Sequence, residues 1–233
     1  MKFYPSHFSK KLFLRKYLSD PVLDAEEKFF RKLLKRKDVF VDVGANVGFF
    51  TLLASHLVGP YGRVYAFEPN ARVFNFLQGN LSLNRIINVT AMNVALGNEN
   101  TTGYLHIPKK KDDHSCVSLD RSGVSIPIRR LDDMSIEEKS VDLLKLDVEG
   151  YEKYVLEGAK DTLKKVRCIF FEALTLNTVR YGYTIPVLIE TLTKLGFKIY
   201  GLYDDRLKEF SIATDVPCSS PNLIGMRDTS CLM

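Results

Sequence analysis

Residues 38–50, which read DVFVDVGANVGFF, decide the fold of this 233-residue chain. They begin with a short apolar run, as a buried strand does, then turn at glycines and continue with the apolar spacing of a helix. The alternation of strand and helix recurs along the chain, and it predicts an α/β fold with a mostly parallel sheet and helices on both faces. The predicted strands are 38–43, 63–69, 88–96, 141–146, 167–173, 197–203 and 222–227.

Residues 97–130 interrupt this alternation. They contain two short runs of strand character, YLHIP (104–108) and VSIPIR (124–129), on either side of the charged segment KKKDDHS (109–115). We expect a β-hairpin-like insertion whose charged tip is mobile.

The composition is that of an ordinary globular protein, with 45% apolar and 26% charged residues. Charged residues interrupt every apolar run, so the sequence predicts neither a membrane-spanning helix nor the apolar core of a signal peptide. The four cysteines are scattered without a Cys-x-x-Cys pair. This spacing argues against a zinc or disulfide framework and favours a reducing, cytoplasmic location.

The first 37 residues are strongly basic. They hold 11 of the 33 Lys and Arg residues but only 4 of the 28 Asp and Glu, which leaves the remainder nearly neutral. We expect no nucleic-acid partner, because such binding usually needs a basic face spread over the fold. Residues 1–37 are interpreted as an N-terminal extension or cap on a single domain, 38–233. The interleaved aromatic and basic residues within 1–20 fit either a capping helix or a weak peripheral contact with anionic lipid.

A ligand site is expected where the parallel strands end. Asp42 lies near the end of the first strand, Gly44 permits a tight turn, and Gly48 lets the next helix pack closely. This spacing differs from the dinucleotide pattern Gly-x-Gly-x-x-Gly, and Asp42 would repel a pyrophosphate, so the loop suits a ligand with an ammonium or sulfonium group. Glu68 ends the second strand, where a carboxylate accepts hydrogen bonds from a ribose. NAD-binding folds share such an acid, so Glu68 alone leaves both ligands open.

The fourth strand ends in LLKLDVEGYE (143–152), which carries the candidate catalytic residues. Asp147 stands at the strand end as a base for a hydroxyl proton, and alternation places Lys145 on the same side. Glu149 would begin the following helix. Asp147 and Glu172 end neighbouring strands, which raises a divalent-metal alternative. A compact second acidic pair is missing after the fifth strand, and we therefore predict no metal.

Four ordered motifs resemble the FkbM family of S-adenosylmethionine-dependent methyltransferases: VFVDVGANVGFFT (39–51), YAFEPN (65–70), NVALGNENTTGYL (93–105), and the pair LDD (131–133) and LLKLDVEGYE (143–152). The resemblance covers about residues 38–227. It implies a class I methyltransferase fold, with a Rossmann-like sheet of seven strands and a reversed final hairpin. It also implies methyl transfer to oxygen, often to a hydroxyl of a sugar or polyketide.

The resemblance further implies a set of cofactor contacts. The methionine part would be surrounded by residues of the glycine loop, namely Asp42, Gly44, Ala45, Asn46 and Gly48. Glu68 would hold the ribose. The adenine would lie beside Asn93 and Val94.

The predicted function is therefore S-adenosyl-L-methionine-dependent O-methylation of a saccharide or another polar natural product. Two alternatives stay open at this point. One is a non-catalytic module that only binds the cofactor, and the other is a nicotinamide-dependent oxidoreductase. The oxidoreductase is disfavoured by the loop spacing and by the lack of a Tyr-x-x-x-Lys pair.

Overall fold

The computed structural model describes residues 1–3, 20–108, 115–203, 206–211 and 222–228. Most of the basic segment 1–20 and the tip of the insertion lie outside these ranges. The predicted lipid contact and the predicted mobile tip therefore stay predictions.

The helices of the described ranges are α1 (Pro21–Leu33), α2 (Phe49–Val58), α3 (Ala71–Leu83), α4 (Glu152–Glu157), α5 (Lys160–Lys165), α6 (Thr175–Arg180) and α7 (Ile185–Lys194). The strands are β1 (Val39–Val43), β2 (Arg63–Phe67), β3 (Val89–Met92), β4 (Ala95–Leu96), β5 (Thr101–His106), β6 (Cys116–Val117), β7 (Val124–Arg129), β8 (Val141–Leu146), β9 (Val166–Glu172), β10 (Lys198–Tyr203), β11 (Arg206–Glu209) and β12 (Asn222–Met226). A short 3-10 helix spans Leu131–Asp133.

The main sheet of the described residues has the strand order β11-β10-β12-β9-β8-β1-β2-β3. Strands β9, β8, β1, β2 and β3 are parallel, and β12 lies antiparallel between β9 and β10. The predicted α/β class and the reversed final hairpin are confirmed. The predicted count of seven strands is wrong, because Arg206–Glu209 adds an eighth strand beside β10. Its sequence, RLKE, is largely exposed and has no apolar pattern that would have predicted a strand.

The insertion builds a second sheet rather than a simple hairpin. β5 and β7 pair antiparallel as predicted, and the two-residue strands β4 and β6 complete the order β4-β7-β5-β6 among the described residues. Alternate side chains of β5 and β7, including Leu105, Ile126 and Ile128, are buried in the core of the main sheet. The second sheet therefore packs on the main sheet through these buried side chains.

Helix α1 packs directly on the main sheet. Asp20 caps it by accepting hydrogen bonds from two backbone N–H groups of the first turn, and Pro21 opens it. Phe30 is fully buried, and its ring centroid lies 4.5 Å from that of Phe50 and 5.5 Å from that of Phe170 in β9. This aromatic cluster packs the last turn of α1 against α2 and β9. No helix among the described residues is long and apolar enough to cross a membrane.

Candidate active site

A cavity of about 450 Å³ opens at the carboxyl ends of the parallel strands. Its size lies within the usual range of small-molecule sites, which is roughly 300–1,000 Å³. The loops that follow β1, β2 and β8 form one part of the wall. The start of α1, the end of β9, the start of β12 and residues of the second sheet also contribute to the wall. The cavity lies where Rossmann-like sheets bind their ligands.

The glycine loop after β1 is held tightly against its neighbours. Gly44 has a φ of +79°, and a Cβ there would lie 1.9 Å from the backbone oxygen of Asp147. The N–H groups of Gly44 and Ala45 both donate to the carbonyl of Phe67, at 3.0 Å. Gly44, Ala45 and Asn46 line the cavity. Gly48, which has a φ of +89° and approaches Leu77 of α3, does not.

Glu68 is buried at the cavity wall. Its Oε2 accepts the N–H of Asn46 at 2.9 Å, and its Oε1 accepts the N–H of Asn70 at 2.8 Å. Burial raises the pKa of Glu68 to about 7, although both N–H groups oppose the shift. A carboxylate oxygen can accept two hydrogen bonds, and one is described at each oxygen of Glu68. Both oxygens can therefore accept a further hydrogen bond from a ligand.

The predicted adenine pair is split by the structure. Asn93 is exposed, and its Nδ2 donates to the carbonyls of Glu68 and Pro69 at 2.7 and 3.0 Å. It supports the backbone that carries Glu68 and does not line the cavity. Val94 is buried and does line it, which gives that part of the wall an apolar surface.

Lys145 of β8 forms ion pairs with Asp42 of β1 and with Asp147, which follows β8. It is 3% exposed, and its Nζ lies 3.4 Å from Asp42 Oδ1 and 3.1 Å from Asp147 Oδ2. Asp42 is fully buried beneath the cavity, where its Oδ2 accepts the hydroxyl of Thr51 at 2.6 Å. Its Oδ1 accepts no hydrogen bond from the described residues, and Lys145 is its counter-charge. Burial opposes the charge of Lys145, but Asp147 and Asp42 together keep its pKa above the usual value. Lys145 therefore stays protonated.

Asp147 is the exposed member of this group. Its side chain is 40% exposed and lines the cavity, as Lys145 does, while Asp42 does not. The structure thus brings two of the predicted catalytic residues together at the wall, beside the loop of Gly44.

The third predicted catalytic residue, Glu149, belongs to a cluster of carboxylates. The side-chain amide of Asn177 donates to Glu149 Oε2 at 3.0 Å and to Glu172 Oε2 at 2.9 Å. Both glutamates line the cavity. Burial, together with the charges of Asp147, Glu149 and Glu152, raises the pKa of Glu172 to about 9. The site therefore holds a carboxyl group that is protonated and uncharged at neutral pH.

Glu152 shapes the turn that carries these carboxylates. It is almost fully buried, and its Oε1 accepts the N–H groups of Val148 and Gly150 at 3.1 and 3.3 Å. The hydroxyl of Tyr183 donates to its Oε2 at 3.2 Å. Burial raises the pKa of Glu152 to about 7. Glu149, which lies between Val148 and Gly150, adopts a left-handed φ of +55°. This conformation is unfavourable for a residue with a side chain, and the hydrogen bonds to Glu152 stabilise the turn.

Other wall residues were missing from the sequence prediction. Glu26 of α1 lies on the wall and accepts a hydrogen bond from Asn222 of β12, 196 residues away. Tyr151 and residues of the second sheet also contribute. Among the described residues, no group of three or more His, Cys, Asp or Glu side chains is arranged to hold a metal ion. The prediction of a metal-free site stays a prediction.

Residues 42–199 match the family model described as the methyltransferase FkbM domain. The chain belongs to the FkbM methyltransferase family. The matched region contains the end of β1, the glycine loop, Glu68 and the Lys145–Asp147 pair. The predicted family is confirmed.

Two relatives of this FkbM protein match over part of their length. "Methyltransferase 1" of Beauveria bassiana is 33% identical over 145 residues, which are 52% of this chain and 58% of the relative. "2-O-methyltransferase NoeI" of Sinorhizobium fredii is 29% identical over 164 residues, which are 60% of this chain and 65% of the relative. The chain thus matches about three fifths of each relative.

Solved structures show the same fold at low sequence identity. The structure of a methyltransferase FkbM from Methylobacillus flagellatus aligns over 81% of this chain and 43% of its own length, with 17% identity and a TM-score of 0.50. A SAM-dependent methyltransferase from Aquifex aeolicus covers 97% of both chains, with 16% identity and a TM-score of 0.52. A putative methyltransferase from Streptococcus mutans in complex with SAH covers 88% of this chain and 96% of its own, with 12% identity and a TM-score of 0.51. These likenesses confirm the class I methyltransferase fold.

Proposed function

We propose that this FkbM protein transfers a methyl group from S-adenosylmethionine to a hydroxyl of a saccharide or another polar natural product. The family assignment supports methyl transfer, and one relative is named a 2-O-methyltransferase. The polar wall of the cavity supports an acceptor with several hydroxyl groups. The proposed partner is thus a small molecule or a glycan.

The residues present fit the cofactor. Glu68 faces the cavity with two carboxylate oxygens that keep hydrogen-bonding capacity, as the paired hydroxyls of a ribose need. Gly44, Ala45 and Asn46 add a wall of backbone, and Val94 adds an apolar surface suited to a base. When bound, S-adenosylmethionine supplies an electrophilic methyl group on a positively charged sulfur.

The chain's own catalytic contribution centres on Asp147. The single observation that carries the proposal is the Lys145–Asp147 ion pair at 3.1 Å on the cavity wall, in contact with the glycine loop. Asp147 accepts the proton that the acceptor hydroxyl loses, or orients that hydroxyl. Lys145 stays protonated and holds Asp147 in place. Glu149 lines the same part of the wall and orients the acceptor through its carboxylate.

The test compares Asp147→Asn with the wild-type protein. We expect turnover to fall at least about 100-fold, because a general base contributes roughly that much, while the affinity for S-adenosylhomocysteine changes little. Turnover is measured as transfer of labelled methyl to a glycan panel, and affinity by calorimetry. The control is Asp161→Asn, whose side chain is 74% exposed and pairs with Lys164 on the surface.

Three results would contradict parts of this proposal. Turnover that survives in Asp147→Asn removes the catalytic role of Asp147. A collapse of cofactor affinity makes Asp147 a cofactor ligand instead. Binding of S-adenosylhomocysteine without any labelled product from the wild-type protein supports the non-catalytic module. The family assignment favours methyl transfer over a nicotinamide oxidoreductase, and competition by NAD in the calorimetry tests that alternative directly.

A further inference from the structure

Asp147 and Glu172 stand side by side at the cavity. Leu146 of β8 pairs with Phe171 of β9 in the register of these parallel strands, and Asp147 and Glu172 are the next residue of each chain segment. The N–H of Asp147 still donates to the carbonyl of Val43, so the ladder continues to this point. Neighbouring strands lie about 4.8 Å apart, and both side chains line the cavity. Under the proposed function, on which this inference rests, they face the acceptor together.

The two carboxyl groups have opposite hydrogen-bonding roles. Asp147 pairs with the protonated Lys145 at 3.1 Å, and its carboxylate accepts hydrogen bonds. Burial, followed by the charges of neighbouring carboxylates, raises the pKa of Glu172 to about 9. Those carboxylates belong to Asp147, Glu149 and Glu152 on the turn after β8. Glu172 is therefore protonated at neutral pH, and its O–H group donates a hydrogen bond.

Asn177 of α6 determines which oxygen of Glu172 carries the proton. Its side-chain amide donates to Glu172 Oε2 at 2.9 Å. The carbonyl oxygen of a protonated carboxyl group is the better acceptor of such a bond, so the proton is assigned to Oε1. Asn177 is itself held in place, because its amide also donates to Glu149 and a Cβ on Gly150 would collide with its backbone oxygen.

An acceptor molecule therefore meets a hydrogen-bond acceptor and a hydrogen-bond donor on adjacent strand ends. A single hydroxyl could contact both, but a hydrogen bond from Glu172 to the reacting oxygen would engage the electron pairs that attack the methyl group. The donor is better used on a second oxygen beside the first. Hydroxyls on neighbouring carbons present such a pair of oxygens, one that gives its proton to Asp147 and one that accepts the proton of Glu172.

We propose that Glu172 is a further acceptor-binding residue, which donates a hydrogen bond to the oxygen adjacent to the methylated hydroxyl, and that the acceptor is a vicinal diol. Asp147 binds the hydroxyl that is methylated, and Glu172 binds its neighbour. Asn177 acts through Glu172 as a positioning residue, since it fixes the orientation of the carboxyl group. A diol fits both groups at once, whereas an isolated hydroxyl leaves the donor of Glu172 without its partner on the ligand.

The test uses methyl glycosides of hexoses, incubated with the full chain and labelled S-adenosylmethionine. The position of the label is determined by NMR for the glycoside that is methylated fastest. Deoxy counterparts are then compared that lack either a hydroxyl adjacent to this position or a remote one. We expect the loss of one adjacent hydroxyl to lower kcat/KM at least about tenfold, the scale of a donor left without its partner. The loss of a remote hydroxyl should lower it less than about threefold.

Two variants of Glu172 separate its donor role from its shape. Glu172→Met removes the donor, so the adjacent hydroxyl should lose its effect on kcat/KM. Glu172→Gln should keep the effect, because its amide oxygen can take the bond from Asn177 while its NH2 group replaces the O–H group. In the wild type the effect should fade above about pH 9, and in Glu172→Gln it should not. The matched control is Glu190→Met on α7, whose carboxylate pairs with Lys194 on the surface.

The outcomes separate this inference from the proposed function. Labelled oxygen with equal use of all deoxy glycosides overturns the diol and leaves O-methylation standing. A uniform loss of turnover in Glu172→Met, with the effect of the adjacent hydroxyl intact, overturns it as well, because Glu172 then supports the protein and not the acceptor. If Glu172→Met does not fold, the pH dependence of the wild type against Glu172→Gln decides. A wild-type protein that binds S-adenosylhomocysteine but labels no glycoside contradicts both proposals.

Discussion

Replacing Lys145 by methionine tests whether this residue compensates a buried charge. The substitution keeps a long apolar stem and removes the ammonium group that lies 3.4 Å from Asp42 and 3.1 Å from Asp147. Asp147 is partly exposed, so water solvates it when Lys145 is lost. Asp42 is fully buried and would retain only the hydroxyl of Thr51 as a hydrogen-bond donor to its side chain among the described residues.

The expected cost follows from this asymmetry. Breaking a buried ion pair by removing one partner costs about 3–5 kcal/mol, because the remaining charge is left uncompensated. The free energy of unfolding of a domain is roughly 5–15 kcal/mol, so Lys145→Met should bring the protein close to instability. A second substitution, Asp42→Asn, removes the stranded charge. The double variant should therefore recover at least about half of the loss.

The measurement is equilibrium unfolding in urea, followed by far-UV circular dichroism because the chain contains no tryptophan. The control is Lys164→Met, which removes a lysine that is 75% exposed and should change the free energy of unfolding by less than about 1 kcal/mol. A loss of under about 1 kcal/mol in Lys145→Met would refute the reasoning. So would a double variant that is no more stable than Lys145→Met alone.

Three further predictions address the loop, the ribose site and the pH response. Gly44→Ala should weaken S-adenosylhomocysteine binding and lower Tm, because the added Cβ would collide with the backbone of Asp147. The control Gly182→Ala has a similar φ of +73° and no atom within 4 Å of the added Cβ, so it should lower Tm far less. Equal losses of Tm would contradict the close approach of Gly44 to Asp147. Glu68→Ala should reduce that affinity at least about tenfold by calorimetry, since charge-assisted hydrogen bonds are lost, and an unchanged Kd removes the ribose assignment. The raised pKa of Glu172 means that the wild-type protein without ligand loses stability as pH rises from about 4.5 to about 9, because the folded state binds the proton more tightly. Glu172→Gln should therefore gain Tm relative to the wild type across this range, and a constant difference between pH 5 and pH 9 would exclude the buried acid.

The glycine loop and the Lys145–Asp147 pair were predictable because their signals are local. A strand followed by Gly44 and a helix is readable within thirteen residues, and alternation alone places Lys145 beside Asp147. The buried position of Asp42 was not predictable. The alternation of side chains predicts which face of the strand Asp42 occupies, but it does not predict whether the side chain reaches the cavity. Its side chain lies below the wall and not on it.

The cavity wall formed by α1, β9 and β12 depends on contacts that no local pattern encodes. The bond between Asn222 and Glu26 joins residues 196 positions apart, and each residue alone looks like an ordinary polar residue at the end of an element. Residues 1–37 were predicted only as an extension or cap, and no local pattern indicated that α1 would place side chains on the cavity wall. The edge strand β11 and the two-residue strands β4 and β6 are too short or too polar for a hydrophobic period.

The hydrogen bond between Asn222 and Glu26 joins two segments that flank the family match. The match runs from residue 42 to residue 199, so both residues lie outside it, as do Asp20 and Leu23 on the same wall. Under the proposed function, we expect mutations in these flanking segments to change acceptor preference while the residues assigned to the cofactor stay in place. Exchanging the two flanks between relatives would be the natural route to new specificities.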